Sequence, residues 1–392
     1  MWLRRILVIF NVALWILFIR LALHRSRYPV FLGRYSTPYL TLLALVLGVA
    51  IALSLMNLGN VSSHLDRKRY QLLWALLLSP ILALVMVEGL LRGFNLFGSS
   101  LYGEFARYIT VLVPDERVVY KNPSNHRGIY QGVEIATNEL GFRNRPLSPK
   151  SPDQRRILFL GDSVTFGWGV RGEDTFCSQL ELDLRRKGLN VETINSGVSG
   201  YNTYQELGVL EKYGDLLKPD LVVLVYVDND VDPEANPTAA SERRMPEPWR
   251  NPFGSIAYLI RKTRLYMMVL HLGPVLVSGV GTSIDRGSPG WQRSMDSLFQ
   301  MAAYCETRKI AFITFHFRML PNPQSDALNA EISAIAERQQ FQFCDVLPWF
   351  EHKNVDRLTN SFIDSHPNAE GHRILADGMA HFLLDAPGLG LR

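Results

Sequence analysis

Serine, histidine, amide and carboxylate side chains fall in this chain at places where a fold could gather them into a reactive site. Ser163 follows the run Ile157, Leu158, Phe159, Leu160 and then the pair Gly161, Asp162. A short apolar run without polar alternation suits a central parallel strand covered on both faces. Ser163 then stands at the C-terminal end of a strand, where open α/β sheets bind ligands. A hydroxyl in that place has backbone N–H groups for neighbours, which can stabilise negative charge developing on a substrate oxygen. Glycine, aspartate and serine are also common turn residues, so this triplet alone leaves an ordinary strand-to-loop turn open.

A nucleophilic serine needs a base, donors for an oxyanion and a group that orients the base. Asn195 to Gly200, NSGVSG, follows a second strand-like run, and glycine there lets backbone N–H groups approach a ligand closely. Asp228, Asn229 and Asp230 follow a third, and the neutral amide of Asn229 donates a hydrogen bond better than either flanking acid. Asp364-Ser365-His366-Pro367-Asn368 comes before the last helical stretch and offers His366 as the base. His316, after the fourth apolar run, is a competing base, whereas His372 and His381 lie within the last helical stretch as surface or packing residues. No cluster has metal-ligand spacing, and neither a metal nor a cofactor is expected.

The ordered blocks GDS, N-x-G-x-x-G, N-D and H-P-N with G-H shortly after resemble those of the SGNH or GDSL hydrolase family of serine esterases, across about residues 155–385. The resemblance implies a flavodoxin-like three-layer sandwich, Ser163 as nucleophile and His366 as general base. It also implies an oxyanion hole formed by the N–H of Ser163, Gly200 and Asn229, with Asp162 mainly holding the turn. Two positions depart from the family pattern. Val227 replaces the glycine of the third block, and the acid usual three residues before the histidine is replaced by Ile363. Asp364, two residues before, either orients His366 through an altered turn or leaves that task to a backbone carbonyl. Asp364 is the favoured partner because an ionised carboxylate holds an imidazolium more strongly.

The elements that must position these groups alternate along the chain. Strands are expected at Ile157–Leu160, Val191–Asn195, Leu221–Tyr226, Ile310–Phe315 and Phe341–Val346. Helices are expected at Thr175–Lys187, Thr203–Leu217, Ser294–Arg308, Ser325–Gln339 and Asn368–Leu384. Such alternation argues for an α/β fold with a central parallel sheet of about five strands and helices on both faces. The interval 232–290 breaks the alternation. Its apolar, basic piece Ile256–Val277 could pack as a plain helix, cover the site or lie on a bilayer.

The first hundred residues are far more apolar than the rest of the 392-residue chain. Tyr39–Leu58 has no charge and is about the length that crosses a bilayer. Leu72–Leu91, with Pro80 and Glu88, and Ile6–Leu23, interrupted by Arg20, are further expected spans, so about three transmembrane helices precede the sheet. A signal peptide is the competing reading of the first, but no small-residue cleavage site follows it. Arg4 and Arg5 then share a side with Arg67, Lys68 and Arg69, which places the N-terminus in the cytoplasm and residues after Leu91 outside. With two spans instead, the later domain would lie in the cytoplasm.

The expected organisation is a membrane anchor at 1–93, a stalk or cap with strand-like pieces Arg117–Tyr120 and Gly132–Ala136 at 94–153, and a hydrolase-like domain at 154–392 with its insert at 232–290. A net charge of +4, partly from the arginines flanking the spans, asks for no nucleic-acid partner. Cys177, Cys305 and Cys344 are widely spaced and read as buried thiols. The expected function is a membrane-anchored serine esterase facing the periplasmic or extracellular side and removing acyl groups, foremost acetyl, from an envelope glycan. A lipid ester is the second substrate. A sugar hydroxyl in place of water would make the same site an O-acyltransferase, and a catalytically silent glycan-binding or assembly module is the reading from a different class. The expected partners are the ester substrate and the bilayer.

Overall fold

The computed structural model describes residues 2–23, 43–44, 46–51, 54, 67–232, 260, 263–266, 268 and 286–386. The chain divides into two compact units, residues 1–99 with 243–273 and residues 100–242 with 274–392.

The second unit opens with the helix Leu101–Ile109 and two small antiparallel pairs: β1 (Val113–Asp115) with β2 (Val119–Lys121), and β3 (Arg127–Tyr130) with β4 (Val133–Ala136). Five parallel strands follow: β5 (Arg155–Gly161), β6 (Val191–Asn195), β7 (Leu221–Tyr226), β8 (Ala311–His316) and β9 (Gln342–Asp345). Their order across the sheet is β6-β5-β7-β8-β9, so the strand leading to Ser163 lies inside the sheet. Each expected strand forms within about two residues of its expected ends. β7 is buried at all six positions, as an apolar run covered on both faces must be.

Alternation along β5 divides the core. Ile157 and Phe159 join an apolar cluster that includes Phe176, Leu180, Leu184, Leu375, Met379 and Leu383 from the helices Phe176–Arg186 and Ala369–Asp385. Leu158 and Leu160 face the other cluster, built with the helices Thr203–Leu217, Pro289–Arg308 and Pro323–Gln339. The result is a sheet between two helical layers. The helix starts follow from local chemistry: Thr175, Asn202, Ser288, Asn322 and Asn368 each accept a backbone N–H at an N-cap, and Pro289 and Pro323 stand in a first turn. Each such cap is worth roughly 1 kcal/mol.

Residues 100–147 pack onto the second cluster through Tyr108, Tyr120, Tyr130, Ile135 and Phe142. They also cover the edge strand β6, where Asn144 donates to Thr193 O at 2.8 Å and accepts the N–H of Asn195. The amide side chain thereby takes the place of a neighbouring strand and blunts an open edge. Cys177 and Cys305 are buried and Cys344 is half-buried; all three are free, and burial pushes the thiols of Cys305 and Cys344 up to about 12.

The first unit holds the helices Trp2–Leu23 and Arg67–Gly93. Within it, the N–H groups of Arg264 and Leu265 donate to Glu88, each at 3.0 Å. Among the described residues no helix is long and apolar enough to cross a membrane. The expectation of three spans therefore gains no support from them. Trp2–Leu23 is interrupted by Arg20, and Arg67–Gly93 contains Pro80 and carries the Glu88–Arg92 ion pair near its end. Much of Tyr39–Leu58, most of the insert 232–290 and most of Ile256–Val277 lie outside the described residues.

Candidate active site

At the end of β5 the chain turns directly into the short helix Ser163–Phe166. Asp162 caps it by accepting the Val164 N–H at 2.8 Å, and Gly167 closes it in the left-handed region at φ 79°. Gly161 permits the turn, because a Cβ there would fall 2.1 Å from Thr165 Oγ1. Ser163 is left half-buried at the sheet's C-terminal rim.

His366 comes to the same rim from β11 (Asp364–Pro367), which pairs antiparallel with β10 (Thr359–Ser361). Its Nε2 lies 2.8 Å from Ser163 Oγ, and its Nδ1 lies 2.6 Å from Asp364 Oδ1. An acceptor-only carboxylate fixes the tautomer: Nδ1–H donates to Asp364, and the Nε2 lone pair faces the serine hydroxyl. Asp364 is 2 % exposed, whereas the imidazole keeps 28 % of its surface open to an incoming substrate. Burial disfavours the charge on both groups, yet their mutual bond and attraction prevail. Asp364 sits below the usual carboxylate value and His366 above the usual imidazole value, with Asp162 adding to the rise at His366.

The expected oxyanion donors reach this rim by two loops. Asn195–Gly200 is tied to the serine turn where the N–H of Val198 donates to Gly161 O at 3.2 Å and the Asn195 amide donates to Thr165 O at 2.6 Å. Gly200 takes φ 81° on that loop. Among the described contacts none joins Gly200 directly to Ser163; it is Asn195, Gly197 and Val198 of the loop that meet the serine turn. Asn229 lies on the 3-10 turn Asp228–Val231, with Nδ2 3.5 Å from Asp162 Oδ2. Burial raises the pKa of Asp162 against the hydrogen bonds and His366 charge that favour its ionised form.

His316, the competing base, is fully buried at the end of β8 and occupied otherwise. Its Nε2 meets Asp228 Oδ1 at 3.1 Å and its Nδ1 meets Asn329 Oδ1 at 2.9 Å. It braces the turn that carries Asn229. His372 is buried and stacked on Phe176, accepts the Phe176 N–H, and is pushed down to about 3 by burial, so it stays neutral. His381 is on the surface. Among the described residues no cluster of histidine, cysteine or acidic side chains is arranged to hold a metal ion.

Sequence reasoning missed two residues at the acid. Asp364 Oδ2 accepts from Gln131 Nε2 at 3.0 Å and from Asn360 Nδ2 at 3.4 Å. Asn360 could have been sought in the strand before the histidine block, but Gln131 is 233 residues away in sequence. The only local signal at Gln131 is the following Gly132, which marks a turn between two strand-like pieces.

Several solved structures are similar in fold. An acetyl xylan esterase, AlAXEase, is 20 % identical over 57 % of this chain and 97 % of its own, with a TM-score of 0.37. A GDSL-like lipase from Bacteroides thetaiotaomicron is 18 % identical over 61 % and 92 %, at 0.36. AlinE4, an SGNH-hydrolase family esterase, is 19 % identical over 61 % and 99 %, at 0.34. Among curated proteins none matches the chain. The model of the GDSL-like lipase/acylhydrolase family matches residues 159–374, more than half of the chain. The chain therefore belongs to the GDSL-like lipase/acylhydrolase family and is an SGNH-type serine ester hydrolase.

Proposed function

We propose that ester cleavage proceeds through an acyl-serine on Ser163, with His366 as general base and Asp364 orienting it. The observation that carries this assignment is the continuous line from Asp364 through His366 to Ser163, with gaps of 2.6 and 2.8 Å. As Ser163 Oγ bonds to the ester carbonyl carbon, its proton passes to His366 Nε2 and the carbonyl electrons move onto oxygen. The N–H groups of Ser163 and Gly200 and the Asn229 amide receive that oxyanion. Collapse breaks the bond to the alcohol, which leaves with the proton held by His366. Water then repeats the sequence on the acyl-serine and restores the hydroxyl.

The substrate we favour is an acetylated glycan of the cell envelope, and the location a cytoplasmic membrane with the hydrolase unit outside. Supporting the first is the membrane tether expected from the sequence, which would hold the site beside envelope polymers; the cavity of about 700 Å³ beside β3 and β4 is lined by none of Ser163, Gly200, Asn229 and His366 and carries no weight here. Supporting the second is the charge-free apolar run Tyr39–Leu58. The deciding experiment is labelling by a serine-reactive fluorophosphonate: wild type is labelled and Ser163→Ala is not. Folded but unlabelled wild type would overturn the assignment in favour of a silent glycan-binding module. Faster turnover of acetyl than long-chain nitrophenyl esters, with acetate release from acetylated oligosaccharides, is the result expected for the glycan reading; the reverse order indicates a lipid ester. Alkaline extraction that frees the chain from membranes would remove the anchor.

A further inference from the structure

Residues of the segment 100–145 touch several parts of the site. Buried Arg143 donates to Phe166 O at 2.8 Å and also to Gly167 O and Val170 O, just beyond the serine turn. The Tyr120 hydroxyl donates to Ser199 O, beside Gly200, at 3.1 Å. Gln131 donates to Asp364 Oδ2 at 3.0 Å. All of these residues precede position 159, where the family match begins. We infer that this segment is part of the catalytic apparatus, and that Gln131 is the positioning residue that keeps Asp364 in line with His366. The inference rests on the assignment of Ser163, His366 and Asp364 made above.

The terminal torsion of an aspartate is soft, so one bonded oxygen does not fix a carboxylate. Asp364 Oδ1 is committed to Nδ1 and the backbone N–H of His366. The orientation of the group is then decided at Oδ2. Asn360 reaches Oδ2 at 3.4 Å while also donating to Trp168 O at 2.9 Å, so Gln131 is the closer donor. The turn presents Gln131 rigidly: its φ is 50°, its N–H donates to Glu104 Oε2 at 3.2 Å, and Glu104 pairs with Arg107 at 2.6 Å. Arg107 also donates to Ile129 O on the same hairpin, so the helix Leu101–Ile109 holds the turn from behind. An amide satisfies Oδ2 without adding charge.

The charged or titratable groups facing the Asp364–His366 pair are Asp162 on the serine turn, neutral His372 on the last helix, and Glu104 with Arg107 behind Gln131. A charge introduced at position 131 would act on His366 from a side where the wild type has none in direct contact with Asp364. The test measures kcat and KM for nitrophenyl acetate against pH in the full chain, for wild type, Gln131→Ala, Gln131→Glu and Gln131→Lys, with thermal stability and fluorophosphonate labelling followed in parallel. Gln131→Ala is expected to lower kcat about tenfold with KM nearly unchanged, since small misplacements of reacting groups are expensive. The acid limb of kcat/KM is expected to move to higher pH in Gln131→Glu and to lower pH in Gln131→Lys. General loosening of the hairpin would not move it in opposite directions. An unmoved limb in both charge variants, or wild-type kcat in Gln131→Ala, overturns the inference while labelled wild type leaves the Ser163 assignment standing. Folded but unlabelled wild type overturns both.

Discussion

Asp364 and His366 project from the same face of one strand because a single residue, Ser365, separates them. Side chains alternate along a strand with period two, so an acid two places before a histidine in β11 meets Nδ1 directly. The family's three-residue spacing would turn the acid to the opposite face of such a strand, and Ile363 is buried at that position. The displaced acid thus suits the geometry of a hairpin. Asp364→Asn is expected to lower kcat by about 10³- to 10⁴-fold, since an amide no longer enforces the Nδ1–H tautomer. Activity within tenfold of wild type would show instead that a backbone carbonyl orients the imidazole.

The two members of the pair impose opposite demands on pH. The lowered Asp364 contributes stability that is present above its ordinary 3.8 and is lost as pH falls through its folded value. The raised His366 contributes stability that is present below its ordinary 6.5 and is lost as pH rises through its folded value. The pair therefore supports the fold best between 3.8 and 6.5, while general-base catalysis needs neutral His366. The acid limb of kcat/KM is expected above pH 6.5 in wild type and at lower pH in Asp364→Ala, where burial stays but the carboxylate is gone. A pH–rate profile decides this, and an acid limb that does not fall in Asp364→Ala would contradict the pairing.

The sheet and the reacting pair were legible in the sequence for a physical reason: each depends on a local pattern. β5 carries the apolar run Ile157–Leu160 and β7 is apolar throughout, and Ser163 and His366 lie at the ends of recognisable blocks. Gln131 depends on no local pattern, because its partner is fixed only when two hairpins from distant parts of the chain meet. The helix Leu101–Ile109 escaped notice in a stretch of mixed character, where its nine residues bury only one face. His316 had the right location for a base, but Asp228 and Asn329 already occupy its ring nitrogens.

Gly197 links the oxyanion loop to the serine turn by an absence of side chain. A Cβ there would stand 2.3 Å from Phe166 N and 2.8 Å from Thr165 C, backbone atoms of the helix that begins with Ser163. Gly197→Ala is expected to destabilise by roughly 1–3 kcal/mol as overpacking does, and to slow phosphonate labelling by displacing the serine. Gly172→Ala, where a Cβ meets nothing within 4 Å, is the control and is expected to stay within about 0.5 kcal/mol of wild type. Denaturant unfolding of both variants tests the contrast; equal stability would mean that the loop retreats without loss.

Behind the oxyanion loops lie Glu206 and Asp230, each 1 % exposed. Neither oxygen of Glu206 has a hydrogen-bond partner among the described residues, and Asp230 spends only Oδ2, on the Val227 N–H. Burial first, and then the charge of Asp162, push Glu206 well above its ordinary 4.5; burial and the charge of Glu206 do the same for Asp230. Because the folded state keeps a proton at Glu206 that the unfolded state has released, stability must fall as pH rises above 4.5. Gln at this position has nearly the same shape and cannot ionise. Glu206→Gln is therefore expected to match wild type in Tm near pH 4 and to exceed it by several degrees near pH 9, about 2–4 °C for each kcal/mol in a domain of this size. Thermal unfolding across that range measures the gap, and a gap that is constant with pH would show that Glu206 is ionised in the folded chain.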